Sequence, residues 1–165
     1  VPEDDAEAVR WYRLAAEQEY PIAQFKLAGM YSRGEGVPRN EAEAIRWYRL
    51  AAEQGDALAQ TNLGVILTRR WHRYQLEPLE GTDLAEAGRR SAERDLVRAF
   101  MWFTLSAAQG NEAAQTNMGV IERWLTSAQI AEAQRLSRER NEGRAQEGNE
   151  PSETIRIPRI PNRPR

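Results

Sequence analysis

The sequence has one histidine, His72, set among arginines and aromatics in Arg69-Arg70-Trp71-His72-Arg73-Tyr74. Imidazole catalysis needs a nucleophile or an orienting acid within hydrogen-bond reach, and no spacing here pairs one with His72; a surface histidine is the simpler reading. Cysteine is absent, which removes thiol nucleophiles, disulfide frameworks and thiolate metal sites. Zinc would have to rely on carboxylates and one imidazole, a set that suits it poorly, so neither metal nor cofactor is expected. Gly34-Glu35-Gly36 is too short for a nucleotide fingerprint, and neither a phosphate loop nor a G-x-S-x-G elbow occurs. The carboxylates fall at helix-start spacing or on solvated faces. No catalytic residue is assigned, and the residues left with something to do are arginines and tryptophans, which bind rather than react.

The totals bound the partners. The 165 residues make room for one ordinary domain, and the net charge of −2 gives no overall pull toward nucleic acid. Of the 23 lysines and arginines all but Lys26 are arginine; with abundant alanine this fits a GC-rich bacterial source, and leaves the compartment, cytoplasm or periplasm, open. No apolar run approaches the roughly 20 residues that span a bilayer.

The elements that must position these residues are written as copies. Residues 1–18, VPEDDAEAVRWYRLAAEQ, match 37–54, VPRNEAEAIRWYRLAAEQ, in 14 of 18 positions at an offset of 36. Residues 56–66 match 111–121 in 7 of 11 positions at an offset of 55. The middle unit therefore carries about 19 extra residues, and the period indicates a solenoid. Each unit reads as two helices. Ala44, Trp47, Tyr48, Ala51 and Ala52 share one face of the second helix. Ala59, Leu63, Ile66 and Leu67 form the stripe of the next first helix. Asn40 with Glu43, Asp4 with Glu7, and Thr126 with Gln129 have capping-box spacing. Gly55 and Gly110 follow final turns, and Asp56 and Asn111 cap what comes next. Gly64, Ala28 and Gly119 hold one small position where helices must come close. Trp11, Trp47 and Trp102 recur at repeat spacing and are expected in the core; Trp71 and Trp124 lie outside that register.

The string AQFKLAGMYSRGEGVPRNEAEAIRWYRLAAEQG, residues 23–55, resembles the Sel1-like repeat, a relative of the tetratricopeptide repeat. The resemblance covers about residues 1–137. It implies an all-α fold: an α/α superhelical solenoid of helix pairs that acts in protein–protein interaction.

On that frame the solenoid spans 1–140. A truncated first repeat (1–19) is followed by a repeat at 20–55, one with an insertion at 56–110, and a last helix with its cap at 111–140. Val1 aligns with Val37, so the first unit lacks its first helix; the expectation is a piece cut from a longer protein, the alternative a half repeat as cap. The insertion, about Arg69 to Ser91, contains Pro78 and Gly81, which argue for a loop, and Asp83 with Glu86, which would cap a short helix near 84–92. The other reading is a longer first helix with Trp71 and Tyr74 packed on neighbours. Residues 141–165 are polar, proline- and arginine-rich, and read as a disordered tail.

The function expected is a non-catalytic scaffold binding a peptide or partner protein in a concave groove of first helices. By analogy with tetratricopeptide grooves the lining is Phe25, Gly29 and Arg33, then Thr61, Val65 and Arg69, then Thr116, Val120 and Arg123. Asn62 and Asn117 would hydrogen-bond an extended backbone, Trp71 would border the groove, and Arg33, Arg69 and Arg123 would form a positive edge suited to an acidic peptide. The resemblance also brings an enzyme alternative, because some cysteine-rich Sel1-like proteins are associated with β-lactam binding or hydrolysis; no serine–lysine or serine–histidine arrangement here supports it. Binding of nucleic acid or an acidic partner by the arginine-rich tail is a weaker alternative.

Overall fold

A computed structural model describes residues 3–77 and 82–147. Among the described residues there are seven helices and no strand: α1 (Glu3–Glu17), α2 (Pro21–Arg33), α3 (Glu41–Glu53), α4 (Ala57–Leu76), α5 (Thr82–Ala107), α6 (Glu112–Glu122) and α7 (Ser127–Glu147). Each of α1 to α5 packs on the next in chain order, while α7 folds back onto α5. The result is a solenoid of helix pairs, as the repeat period predicts.

Local chemistry sets the boundaries. Asn40, Asp56 and Asn111 each accept a hydrogen bond from the backbone N–H three residues on, at 3.1, 2.7 and 3.0 Å. Thr126 and Gln129 satisfy each other's backbone N–H groups, a full capping box. At Asp4 the expectation fails: α1 begins at Glu3, so Asp4 lies within it, and Glu7 accepts from Trp11 Nε1 instead. Three second helices end in the same way. The N–H after the turn residue reaches back to Ala15, Ala51 and Ser106, and the turn residues Glu19, Gly55 and Gly110 have φ of 65°, 97° and 85°. Glycine adopts this left-handed conformation freely; Glu19 does so at a steric cost.

The apolar stripes are the core. Ala44, Ala51, Ala59, Leu63 and Ala99 are all at most 1% exposed. A chain of amides runs beside them. Gln24 Nε2 donates to the Ala16 carbonyl at 3.2 Å, and Gln60 Nε2 to that of Ala52 at 3.1 Å. Gln54 Nε2 then donates to Gln24 Oε1 and Gln109 Nε2 to Gln60 Oε1, both at 2.9 Å. Gln24 and Gln60, with Gln54 and Gln109 at the ends of the second helices, thus tie α2 and α4 to the second helices on either side, and this satisfies groups whose burial would otherwise be costly.

Four expectations need correction. Trp11 is 65% exposed, whereas Trp47 and Trp102 are 4% and 3% exposed. A tryptophan on a second helix is covered only where helices flank it, and α2 is the one closely packed neighbour of α1 among the described residues. Of the two readings of the insertion, the longer first helix is the one found, since α4 reaches Leu76; α5 also runs unbroken from Thr82, so the short separate helix expected near 84–92 does not form. Asp83 lies inside α5, Glu86 pairs with Arg90, and Tyr74 Oη donates to the Ala85 carbonyl at 2.7 Å across the hairpin. Pro78 and Gly81 lie outside the described residues. Gly119 is exposed, with nothing within 4 Å of where a Cβ would stand; no helix closes on α6 there, because α7 goes to α5. Finally, the last helix passes residue 140 and continues to Glu147; the remainder of the proposed tail, 148–165, lies outside the described residues.

Candidate partner-binding site

The expected groove residues are carried by α2, α4 and α6, and the structure sorts them into two groups. Those on α2 serve the repeat itself. Phe25 is half-buried and packs on Tyr48 with ring centroids 5.8 Å apart. Gly29 is buried beneath the Arg33 guanidinium, so that a Cβ there would lie 3.1 Å from it. Arg33 makes a two-point ion pair with Glu35, at 2.6 and 2.7 Å. This pair raises the arginine pKa and lowers that of the glutamate. The charge expected to head a positive row is therefore locally neutralised.

On α4, Thr61 is buried, its hydroxyl 2.8 Å from Ser106 Oγ and 3.0 Å from the Ala57 carbonyl. It joins α4 to α5 and presents nothing to a partner, a correction to its place in the groove. Asn62 is half-buried beside Tyr48. Burial raises the Tyr48 pKa, and the Asn62 amide partly offsets that rise. Val65 is half-buried against the core.

The second group comes together where α4 and α6 end. Trp71, half-buried on the lengthened part of α4, stacks on Trp124 just after α6, with centroids 4.9 Å apart and planes inclined by 26°. Trp124 is 39% exposed and Val120 38%. Arg123 donates from Nε to the Val120 carbonyl at 3.0 Å and places its guanidinium 5.5 Å from the Trp124 centroid, within cation–π range. Arg69 and His72 line a shallow cavity of about 490 Å³ that Trp124 also borders. Arg73 lines it too and reaches Glu41 at 3.7 Å. Thr116 is exposed but turns its hydroxyl to the Glu112 carbonyl, and Asn117 is half-buried. Arg69, Trp71, Val120 and Arg123 thus form one aromatic and basic seam with Trp124. Trp124, which lies outside the tryptophan register and is not among the groove residues expected from sequence, is part of this seam. Among the described residues no group of three or more His, Asp or Glu side chains is placed to hold a metal ion, and no helix is long and apolar enough to cross a membrane.

Comparison with known proteins bears on what this seam is built upon. The Sel1 repeat family matches residues 1–20, 21–56 and 82–111. The chain belongs to the Sel1 repeat family. The third match starts at α5, so the lengthened α4 and the seam on it lie outside the matched segments. Among solved structures, a protective antigen present in uropathogenic Escherichia coli strains, described as displaying an SLR fold, is 34% identical. That similarity covers 89% of this chain with a TM-score of 0.69. The Sel1 chain spans only 28% of the antigen's length. A Sel1 repeat protein from Oxalobacter formigenes is 28% identical over 68% of this chain and 54% of its own, with a TM-score of 0.38. Comparison with curated proteins gives no match. Sel1 repeats generally mediate protein–protein interaction, and the fold is typically a non-catalytic scaffold.

Proposed function

We propose that this Sel1 chain is a non-catalytic scaffold that takes a peptide or partner protein on its first-helix surface, at the Trp71–Trp124 seam. The observation that carries this reading is the pair of stacked tryptophans, one of them 39% exposed, with Arg69 and Arg123 beside them. Tryptophan and arginine supply most of the energy where proteins meet, because they bury much area and keep a directional polar end. The guanidiniums select carboxylate-bearing partners, with each exposed contact contributing about 0–1 kcal/mol. The α2 residues stay outside this seam, since Arg33 is already paired.

The test is retention of a co-purified partner by the wild type and by an Arg69→Glu/Arg123→Glu variant. The reading expects the partner to be lost while helical content is unchanged. Undiminished retention moves the site elsewhere on the chain.

A further inference from the structure

A second cleft lies among α3, α5 and α7, with a volume of about 900 Å³. Its floor is apolar: Leu63, Leu67 and Met101 are buried at 1%, 3% and 4% exposure. Its walls are charged, and the charges do not balance. Each of its four carboxylates already has a guanidinium. Asp95 pairs with Arg70 at 3.4 Å, Glu53 with Arg140 at 3.5 Å, Glu93 with Arg89 and Glu132 with Arg135, both at 2.7 Å. Three lining arginines, Arg49, Arg94 and Arg98, have no carboxylate at ion-pair distance among the described residues. Arg94 and Arg98 are exposed one turn apart on α5, where like charges repel. Arg49 lines the cleft from α3.

We propose that this cleft binds an extended acidic peptide with carboxylates at alternate residues, through Arg49, Arg94 and Arg98. Four residues along a helix advance about 6 Å, and two residues of extended chain advance about 6.6 Å. Alternate carboxylates therefore fall in step with Arg94 and Arg98. The α5 lining from Arg90 to Trp102 extends about 18 Å, which is room for about five extended residues and far more than a lone inorganic anion fills. Guanidiniums take carboxylates in two-point contacts, and the apolar floor strengthens those contacts by excluding water. The site is independent of the tryptophan seam, because none of the residues on that seam lines it.

The experiment is fluorescence anisotropy of the full chain with a labelled eight-residue peptide of alternating Asp and Ala, alongside its Asn-for-Asp counterpart. The expected result is saturable binding of the acidic peptide, at least tenfold weaker for the Asn peptide and for Arg94→Gln/Arg98→Gln. Arg69→Glu/Arg123→Glu should bind within twofold of wild type, so the two sites fail separately. Arg94 and Arg98 are exposed, so folding should survive; should the double variant lose helical content, Arg98→Gln alone is used, with a threefold loss expected. Equal affinity in the arginine variant, no saturable binding, or complete displacement by equimolar inorganic phosphate overturns the proposal.

Discussion

Gly64 and Gly119 occupy the same place in two repeats, and the structure predicts that the same substitution acts on them in opposite directions. A Cβ on Gly64 would stand 2.6, 2.8 and 2.9 Å from Cε1, Cζ and Cδ1 of Phe103. Phe103 is 1% exposed, so its ring has little freedom to retreat. Overpacking of this kind costs about 1–3 kcal/mol. The better helix propensity of alanine returns about 1 kcal/mol, which leaves Gly64→Ala destabilised by up to about 2 kcal/mol. At Gly119 nothing lies within 4 Å, so only the propensity gain acts and Gly119→Ala is stabilised by about 0.5–1 kcal/mol. For a chain of this length 1 kcal/mol moves the unfolding midpoint by about 2–4 °C. Thermal unfolding followed by circular dichroism should therefore place Gly64→Ala below wild type and Gly119→Ala above it. Phe103→Leu, which makes room for the methyl, should recover part of the Gly64→Ala loss when the two are combined. A rise for Gly64→Ala equal to that for Gly119→Ala would refute the α4–α5 packing described.

Other perturbations test other links. Glu19→Gly removes the cost of a side chain at φ 65° and should raise stability by about 0.5–1 kcal/mol, seen as a higher midpoint; a lower one means Glu19 holds the turn by contacts of its own. Gln60→Ala removes the bonds to Gln109 and to the Ala52 carbonyl, which keep Leu105 and Gly55 as partners, and should cost about 0.5–1.5 kcal/mol for each bond lost, whereas the exposed equivalent Gln115→Ala should be near neutral in urea unfolding. Asp95 is buried among Arg70 of α4, Arg49 of α3 and Arg94 and Arg98 of its own helix, and burial raises its pKa despite them. Its neutral form is thus favoured on folding, an advantage present in full below the ordinary aspartate range and lost as pH rises through the raised value. Asp95→Asn should accordingly exceed wild type in midpoint at neutral pH, and the gap should narrow as pH falls toward 4; a gap that widens on acidification contradicts the direction of the shift.

Short-range chemistry made most of the fold legible. Asn40, Asp56, Asn111 and Thr126 act on backbone groups three residues away, so the sequence shows both members of each contact. Apolar spacing likewise named the buried faces of α3 and α4. Trp11 shows where such reasoning stops. Its surroundings in sequence are nearly those of Trp47, yet it is exposed, because burial depends on which helices flank it. A longer first helix is one of the two readings the insertion supports, and α4 follows it; the extension of α5 left a signal that Pro78 and Gly81 obscured, since the residues after them are rich in leucine, alanine, arginine and glutamate, which favour helix. Of the proposed seam, Arg69, Val120 and Arg123 fall at equivalent first-helix positions in the repeat, whereas Trp71 and Trp124 lie outside the tryptophan register. Pairing of Arg33 with Glu35 and burial of Thr61 against Ser106 depend on side-chain directions and on a contact across 45 residues. The arginine-lined cleft was not legible, since it exists only because α7 turns back onto α5.

On the proposed reading a protein partner is held on the first-helix surface at the tryptophan seam. Site-specific photo-crosslinking tests it most directly, with the probe at Val120, exposed on α6 beside the seam, or at Arg10, exposed on α1. A co-purified partner should be captured from position 120 and not from position 10, and Trp124→Ala should abolish the capture. Capture from position 10 alone, or capture from position 120 that is indifferent to Trp124→Ala, would contradict it.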